Sequence, residues 1–473
     1  MLALVLESST SAAKALLYDD REGALAEETE TYAPEWDAGG RQDADQVFQA
    51  TMRAGRKAAA GRRVDAIGIG GIWHSIVPCD RDMNPVERSC TWAFTGPDEL
   101  CRGYRAQTEL ARGIYRRTGC MPNITYQPYA ILHLIRNGFD PAGRLFASQA
   151  GLNFFRLTGE RLETKSIVSG MGLLNTHRLV YDEEILAMIG CGPEQFGALA
   201  DYRQTRPLTS QAAAALGVPS GIPVTPPHSD GALNQVGNGC MRTGAMTFSV
   251  GTSAAIRLST DRPVLSDPPG TWCYVGAEDW LCGAATNGAC NCVNWFKETV
   301  LENRWSFAEL EAELPRASAA SPVFLPFLFG ERCPGWDDTR RAGFAEIRAG
   351  DQAATLFRGV LEGVLFNVFH CYKILTALAG EPAEIVMSGG ILNSPAWIQM
   401  AADIFQREIS LSPTAQASTL GGAALALRAA GALADVRAFG KGDLAKIQPR
   451  ADRRDEYAAK FARYLEYYER GRR

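Results

Sequence analysis

Ser9-Thr10-Ser11-Ala12-Ala13 is matched by Gly251-Thr252-Ser253-Ala254-Ala255, 242 residues later in a chain of 473. Short turns of Ser, Thr and Gly present backbone N–H groups and hydroxyls together, the donor set that grips phosphate oxygens. Glu7 stands just before the first copy and Lys14 just after it. A carboxylate beside phosphate-binding amides makes sense with a cation such as Mg2+ between them, and the lysine would neutralise phosphate. The plainer readings are a solvated strand-end acid and an exposed strand lysine. Asp230 follows the breaker-rich Thr225-Pro226-Pro227-His228-Ser229 and precedes Gly231. A carboxylate there can take or orient a hydroxyl proton during phosphoryl transfer, or it can simply be the N-cap of the next helix. Trp73-His74-Ser75 ends a glycine-rich strand and suits a polyol or sugar; the alternative is a core histidine beside a packed tryptophan. Ser388-Gly389-Gly390 lets a flat ligand or a helix approach the backbone, and Asn393 or Ser394 can cap the helix that Pro395 opens.

The elements that must position these residues alternate. Leu2–Leu6 and the apolar stretch ending at Asp19 read as two strands around the first turn. Residues 245–250 and the stretch ending at Asp261 repeat that pattern around the second. A self-similar turn at half-chain spacing implies two related domains, 1–240 and 241–473, whose turns face one cleft and hold one polyphosphate from two sides. Asp43 to Ala60 reads as a helix capped by Asp43, 64–70 as a strand, and 99–117 and 129–136 as helices. In the second half, 352–378 reads as a long apolar helix packed between domains. Residues 384–387 read as a strand and 420–430 as a small-residue helix. Residues 452–473 read as an amphipathic helix with a docking stripe of Tyr457, Phe461, Tyr464 and Tyr468. Strands alternating with helices make this an α/β protein.

Bulk composition narrows the classes. Apolar residues are 46%, charged residues 21% and the net charge −5, values of a soluble globular chain with no basic footprint for nucleic acid. No apolar run reaches the ~20 residues of a membrane span, and Leu2–Leu6 runs straight into Glu7, which reads as a strand and not a signal peptide. A cytoplasmic protein is the expectation. The 12 cysteines contain no CxxC pair and read as free, mostly buried thiols.

The order of motifs is informative. After the acid–turn–lysine opening, His74 and Asp230-Gly231, the chain carries Gly330-Glu331-Arg332-Cys333-Pro334-Gly335-Trp336-Asp337. Arg358-Gly359-Val360-Leu361-Glu362-Gly363, Ser388-Gly389-Gly390 and Leu420-Gly421-Gly422-Ala423-Ala424 follow. Along essentially its whole length the chain resembles the FGGY family of carbohydrate kinases. The resemblance implies an actin-like fold of two ribonuclease-H-like domains closing over a cleft, with ATP and Mg2+ as cofactors. It implies Asp230 as catalytic base and, with Glu7, as a metal contact. Thr10, Ser11 and Lys14 would form the first phosphate turn, Gly251, Thr252 and Ser253 the second, and Gly389, Gly390 and Asn393 the adenosine side. Trp73, His74 and Ser75 would join Asp230 at the sugar.

Several positions depart from the family pattern. Glu7 replaces the usual Asp. Trp92-Ala93-Phe94-Thr95-Gly96 lacks the Asp and Arg of the sugar loop. Glu346 replaces a Gly, and Glu163-Thr164-Lys165-Ser166 loses an Asp. These changes point at substrate choice. Trp73-His74-Ser75 and the segment 286–291 resemble gluconate kinases, so gluconate is favoured as substrate and xylulose next. The alternative is an ATP-binding sugar sensor without efficient transfer. A homodimer is compatible with the tyrosine stripe and with the kinase resemblance.

Overall fold

The computed structural model describes residues 1–471 apart from 415 and 441; Arg472 and Arg473, within the helix expected at the end of the chain, lie outside the described residues. Two seven-stranded mixed sheets form the two lobes. In the first, β1 (Leu2–Ser8) pairs antiparallel with β2 (Ala12–Asp19), and β2 with β3 (Gly23–Thr31). Helix α1 (Ala44–Ala59) then carries the chain to β4 (Ala66–Gly71), which lies parallel to β1 on its other side. Asp43 caps α1 as its type dictates, accepting from the amides of Asp45 and Gln46.

Helix α2 (Asp230–Gly237) leads into the second lobe. There β5 (Ala245–Val250) pairs antiparallel with β6 (Ala254–Thr260). Strand β7 (Trp272–Val275) pairs with β8 (Trp280–Thr286), and β8 with β6. Helix α3 (Ala353–Ala379) precedes β9 (Glu384–Ser388), which lies parallel to β5 as β4 does to β1. Then come α4 (Pro395–Phe405), β10 (Ile409–Leu411), α5 (Ala417–Ala429) and the C-terminal α6 (Arg454–Arg470). The duplication expected from the repeated turn is therefore a duplication of sheet order.

The helices between the lobes are α2 and α5, not α3. Each lies on the sheet of the other lobe. Gln235 of α2 accepts from Thr247 Oγ1 (2.7 Å) and donates to Ser259 Oγ (3.0 Å) on the second sheet. Gly422 of α5 sits so close to the first sheet that an added Cβ would lie 2.6 Å from Val5 Cγ1. The two helices touch backbone to backbone, with a Cβ on Gly421 falling 2.0 Å from the Leu233 carbonyl oxygen. The small residues at 420–424 are needed for that approach. Helix α3 is instead buried in the second lobe's own core, where Val360, Val364, Leu365 and Val368 pack; it is long and apolar enough to cross a membrane, yet 72% of its most apolar stretch is buried inside the protein.

Two other expectations change. Residues 99–117 form two helices, Asp98–Ala106 and Thr108–Thr118, because Gln107 leaves the helical region with φ −87° and ψ 75°. The aromatic stripe of α6 is consumed within the chain: Tyr457, Tyr464 and Tyr468 are buried, and Tyr468 Oη donates to Glu331 Oε1 (2.6 Å). It offers no free face to a second copy. The cysteines are free, and all but Cys191 and Cys290 are buried.

Candidate active site

Asp230 is released from capping by its neighbour. Ser229 is the N-cap of α2, its Oγ accepting from the Ala232 amide, and Asp230 is the first residue of the helix. The Asp230 Oδ1 accepts from the adjacent Gly231 amide (2.7 Å). Burial raises its pKa, and the charge of Arg257, the Gly231 amide and the charge of Lys14 pull in the opposite direction. Asp230 thus lies in the combined field of a cation from each lobe.

The same device operates at the segment expected to face adenosine. Ser394, not Asn393, caps α4 by accepting from Trp397 N (3.2 Å), which leaves Asn393 exposed. Asn393 and Gly390 line a cavity of about 650 Å³ together with Cys290, Phe307, Phe357 and Trp397. Gly389 has φ +95°, and a Cβ there would lie 2.5 Å from the Val250 carbonyl oxygen, so only glycine fits beside the second turn. The Gly251 carbonyl accepts from Cys290 N (2.9 Å), joining that turn to the cavity wall. Thr252 and Ser253 are exposed at its tip.

On the first turn, Thr10 Oγ1 accepts from Trp92 Nε1 (2.9 Å), and Ser11 is exposed. Glu7 is buried, not solvated. Its Oε1 pairs with Lys14 Nζ at 3.6 Å, while Oε2 is buried without a partner. Burial raises the Glu7 pKa, Lys14 opposes that, and the charge of Asp230 adds to it. Two carboxylates that feel each other at the foot of a phosphate-type turn, one with an orphaned oxygen, suit a hard cation completed by water and phosphate oxygens.

Trp73 and His74 belong to an aromatic wall built from both lobes. Trp73 Nε1 donates to Ser166 O (2.9 Å), and its ring meets Tyr274 at 5.0 Å and Trp272 at 6.0 Å. His74 Nδ1 lies 2.6 Å from Gly170 O, and burial holds its pKa well below the ordinary value. A neutral ring donating from Nδ1 leaves Nε2 as an acceptor. Ser75 is different: fully buried, its Oγ accepts from Gln149 N (3.1 Å) and fixes the helix that begins there.

The departures fall mostly outside this wall. Glu346 sits at φ +64°, where a glycine would be at ease, and pairs with Arg463 of α6. Phe94 meets His133 at 5.3 Å and lies under Arg41. Thr164 Oγ1 donates to Pro227 O (2.6 Å), and Ser166 Oγ lies 2.9 Å from Ser229 Oγ, so that segment braces the cap of α2.

Sequence reasoning missed four residues of the site: Arg257, Arg332, Tyr126 and Tyr274. Three of them come from the second lobe, so the surroundings of Trp73 and His74 are not built by the first lobe alone. Arg257 Nη1 donates to Ser249 Oγ (3.2 Å), and Arg332 Nη2 donates to Tyr274 Oη (3.3 Å), itself 2.8 Å from Tyr126 Oη. The available signal was an arginine inside the apolar run Ala254-Ala255-Ile256-Arg257-Leu258, since arginine is rarely buried without a purpose.

Family comparison matches this geometry along the chain. The N-terminal domain of the FGGY family of carbohydrate kinases matches residues 2–237 and its C-terminal domain residues 246–430. The chain belongs to the FGGY family of carbohydrate kinases. A gluconokinase of Bacillus licheniformis is 26% identical, over 90% of this chain and 87% of its own. A xylulose kinase of Escherichia coli is 26% identical over 85% of each. The crystal structure of a gluconate kinase from Lactobacillus acidophilus superposes with a TM-score of 0.93 at 26% identity, covering 99% of this chain and 98% of that one. This FGGY kinase is therefore a phosphotransferase with the actin-like two-lobed fold.

Proposed function

We propose that this FGGY kinase transfers the γ-phosphoryl group of ATP to a hydroxyl of a sugar, sugar acid or polyol, with the sugar acid gluconate favoured and the ketose xylulose the next candidate. The observation that carries the catalytic reading is the uncapped Asp230, a carboxylate set between Lys14 of one lobe and Arg257 of the other. The nucleotide base and ribose occupy the cavity at Gly390 and Asn393. The phosphates run past Gly251, Thr252 and Ser253 toward Thr10, Ser11 and Lys14. Asp230 accepts or orients the proton of the attacking hydroxyl, and His74 Nε2 accepts from a second hydroxyl. Glu7, with Asp230, would hold a Mg2+ ion, which supplies charge neutralisation on the phosphates. Catalysis then comes mainly from positioning and from charge stabilisation. The lobes divide at 240–241, and closure about α2 and α5 would keep water from the γ-phosphate.

The choice of acceptor class is supported by the gluconate kinases among the relatives and by Trp73-His74-Ser75. A sensor without transfer finds no support: its basis was the lost sugar-loop groups, and Phe94 turns to His133 and Arg41. Coupled ADP release across sugar acids, ketoses and polyols tests the reading. Turnover with gluconate or a related acid is the expected result; turnover confined to xylulose or other neutral acceptors overturns the preference for gluconate, and no transfer to any of them overturns the kinase reading.

A further inference from the structure

Two of the free cysteines face each other on neighbouring strands and have no part in the catalytic reading. Cys273 of β7 pairs with Cys282 of β8 in the antiparallel register, and their Sγ atoms lie 3.5 Å apart. The pair is of the non-hydrogen-bonded kind. The Cys273 amide points away from β8 and donates to Gly119 O (3.1 Å), and the hydrogen-bonded pair Gly276–Asp279 at the turn (2.8 Å) lies three rungs off. Facing Cα atoms of such pairs are about 4.5 Å apart, within the roughly 4.4–6.8 Å that a disulfide spans. The two strands can therefore be cross-linked without leaving their register.

The ribbon of β7 and β8 is also where the second lobe leans on the first. Strand β7 is the edge of its sheet. Val275 N donates to Ser169 Oγ (2.9 Å), Trp280 Nε1 to Thr176 O (3.2 Å), and Tyr202 Oη to Glu278 Oε1 (2.8 Å). A Cβ on Gly119 would fall 2.2 Å from the Cys273 carbonyl oxygen, so the two backbones already touch. On the other face of β7, Trp272 and Tyr274 stack at 4.1 Å and complete the aromatic wall against Trp73. Both thiols are fully buried at this seam and are reached when the lobes part. Hydrogen bonding from Cys273 draws the Cys282 thiol below its ordinary pKa, whereas burial holds Cys273 well above it. Cys282 is thus the sulfur that reacts first, since the thiolate is the nucleophile.

We propose that Cys273 and Cys282 form a redox switch, joined by peroxide into a disulfide that displaces the aromatic wall. The Cys282 thiolate attacks one peroxide oxygen, the O–O bond breaks, and water leaves behind a sulfenic acid. Cys273 then attacks that sulfur; the S–S bond forms, the S–O bond breaks and a second water departs. Two thiols and one hydrogen peroxide become one disulfide and two waters, and a dithiol reductant reverses the bond by exchange. In a reducing compartment such a bond is transient, as a switch requires. Closing the sulfurs from 3.5 Å to about 2.05 Å draws β7 toward β8 and away from Gly119, and Trp272 and Tyr274 move with their strand.

The effect on turnover rests on the acceptor lying beside that wall, as proposed above; the cross-link does not. Peptide mapping by mass spectrometry on the full chain decides the cross-link. A Cys273–Cys282 linked peptide should appear with hydrogen peroxide and vanish with dithiothreitol. Initial rates are taken on the same samples with MgATP and gluconate, or xylulose if gluconate is not turned over. Oxidation should lower kcat/KM for the acceptor by roughly 10- to 100-fold, the scale on which a misplaced positioning surface acts, leave ATP affinity intact and reverse with the reductant. Cys273→Ala and Cys282→Ala should each abolish both the linked peptide and the loss of rate, with thermal stability recorded for each. If both cysteines stay free, or pass to sulfinic acid unlinked, while Cys290 is oxidised, the proposal is overturned. If the linked peptide forms and the rate holds, the switch is overturned. The same follows if Cys273→Ala loses as much activity to peroxide as the unaltered chain, because the loss then belongs to another thiol. If neither acceptor is turned over, the acceptor reading fails, and mapping still decides the cross-link. Mapping the unaltered chain needs no variant, so misfolding of one cannot shelter the proposal.

Discussion

The two hairpins at the heart of the lobes have the same ladder and different charges. Counting down from the turns, Ser8–Ala13 corresponds to Val250–Ala254, with four residues between the first pair and three between the second. Glu7 then matches Ser249, Lys14 matches Ala255, and Leu16 matches Arg257. In the first lobe that face carries Ala3, Val5 and Leu16, packed on α5. In the second it carries Thr247, Ser249, Arg257 and Ser259; Thr247 and Ser259 meet Gln235 of α2, while Arg257 bonds Ser249 and lies over the Trp73 ring. Duplication of the backbone thus leaves each face free to become either a seam or a site. The buried acid, Glu7, stays on the first hairpin and a guanidinium, Arg257, stands on the second, and Asp230 feels both Lys14 and that guanidinium.

Removing Asp230 should break the arrangement most severely. Asp230→Asn keeps the size and the Gly231 contact, so ATP should bind normally while acceptor-dependent turnover falls by ~10³-fold. Near-normal turnover would remove Asp230 from the chemistry. The pH profile adds a second check. Burial raises the Asp230 pKa, so its proton is retained to higher pH than in a free aspartate. A base must be ionised, so kcat/KM should fall as pH drops through that raised pKa. The acid limb should therefore lie above the ~3.9 of an unperturbed aspartate and disappear in the residual activity of Asp230→Asn.

The asymmetry between the hairpins predicts unequal responses at matched positions. Glu7→Gln should cut turnover by roughly 10- to 100-fold, as loss of a metal-supporting carboxylate does, and should raise the Mg2+ concentration needed for half-maximal rate. Ser249→Ala, at the equivalent rung, should change turnover by only a few-fold through the lost contact to Arg257. Equal losses at both positions would mean that the metal is not confined to the first hairpin. Glu7→Asp, the more usual family residue, should retain activity; if it does not, the extra methylene is needed to reach past Lys14.

Much of the site was legible because its residues sit where backbone pattern and chemistry coincide. The repeated turn, the strand-end Glu7 and the paired glycines at 389–390 all announce themselves locally. Asp230 and Asn393 were ambiguous for a reason the structure makes clear. Each adjoins a serine that can cap equally well, and only packing decides which of the two does. Arg257 and Arg332 were missed because one lies inside an apolar strand and the other inside a motif whose Glu331 is structural. Neither fact is visible until the lobes meet. Helix α3 was assigned to the wrong interface because an apolar helix looks the same between domains as inside one. The stripe on α6 is a docking face as expected, but it docks within its own chain, since an amphipathic face does not say whether its partner is the same chain.

The seam between α2 and α5 gives the smallest effect and the cleanest sign test. In a helix interior, Gly→Ala normally stabilises by up to ~1 kcal/mol through propensity alone. Gly103, within the exposed helix Asp98–Ala106, has nothing within 4 Å of an added Cβ, so Gly103→Ala should show that gain in chemical denaturation. Gly421 has the same helical setting, but its Cβ would fall 2.0 Å from the Leu233 carbonyl oxygen, a backbone atom that cannot swing aside. Overpacking of this kind costs about 1–3 kcal/mol, which exceeds the propensity gain. Gly421→Ala should therefore destabilise by about 1–2 kcal/mol, and relief would come by prying the two central helices apart. Because those helices link the lobes, KM values should rise along with the loss of stability. If Gly421→Ala instead matches the gain of Gly103→Ala, the helices are not in backbone contact, and the lobes do not share the seam through which the two hairpins are held to one cleft.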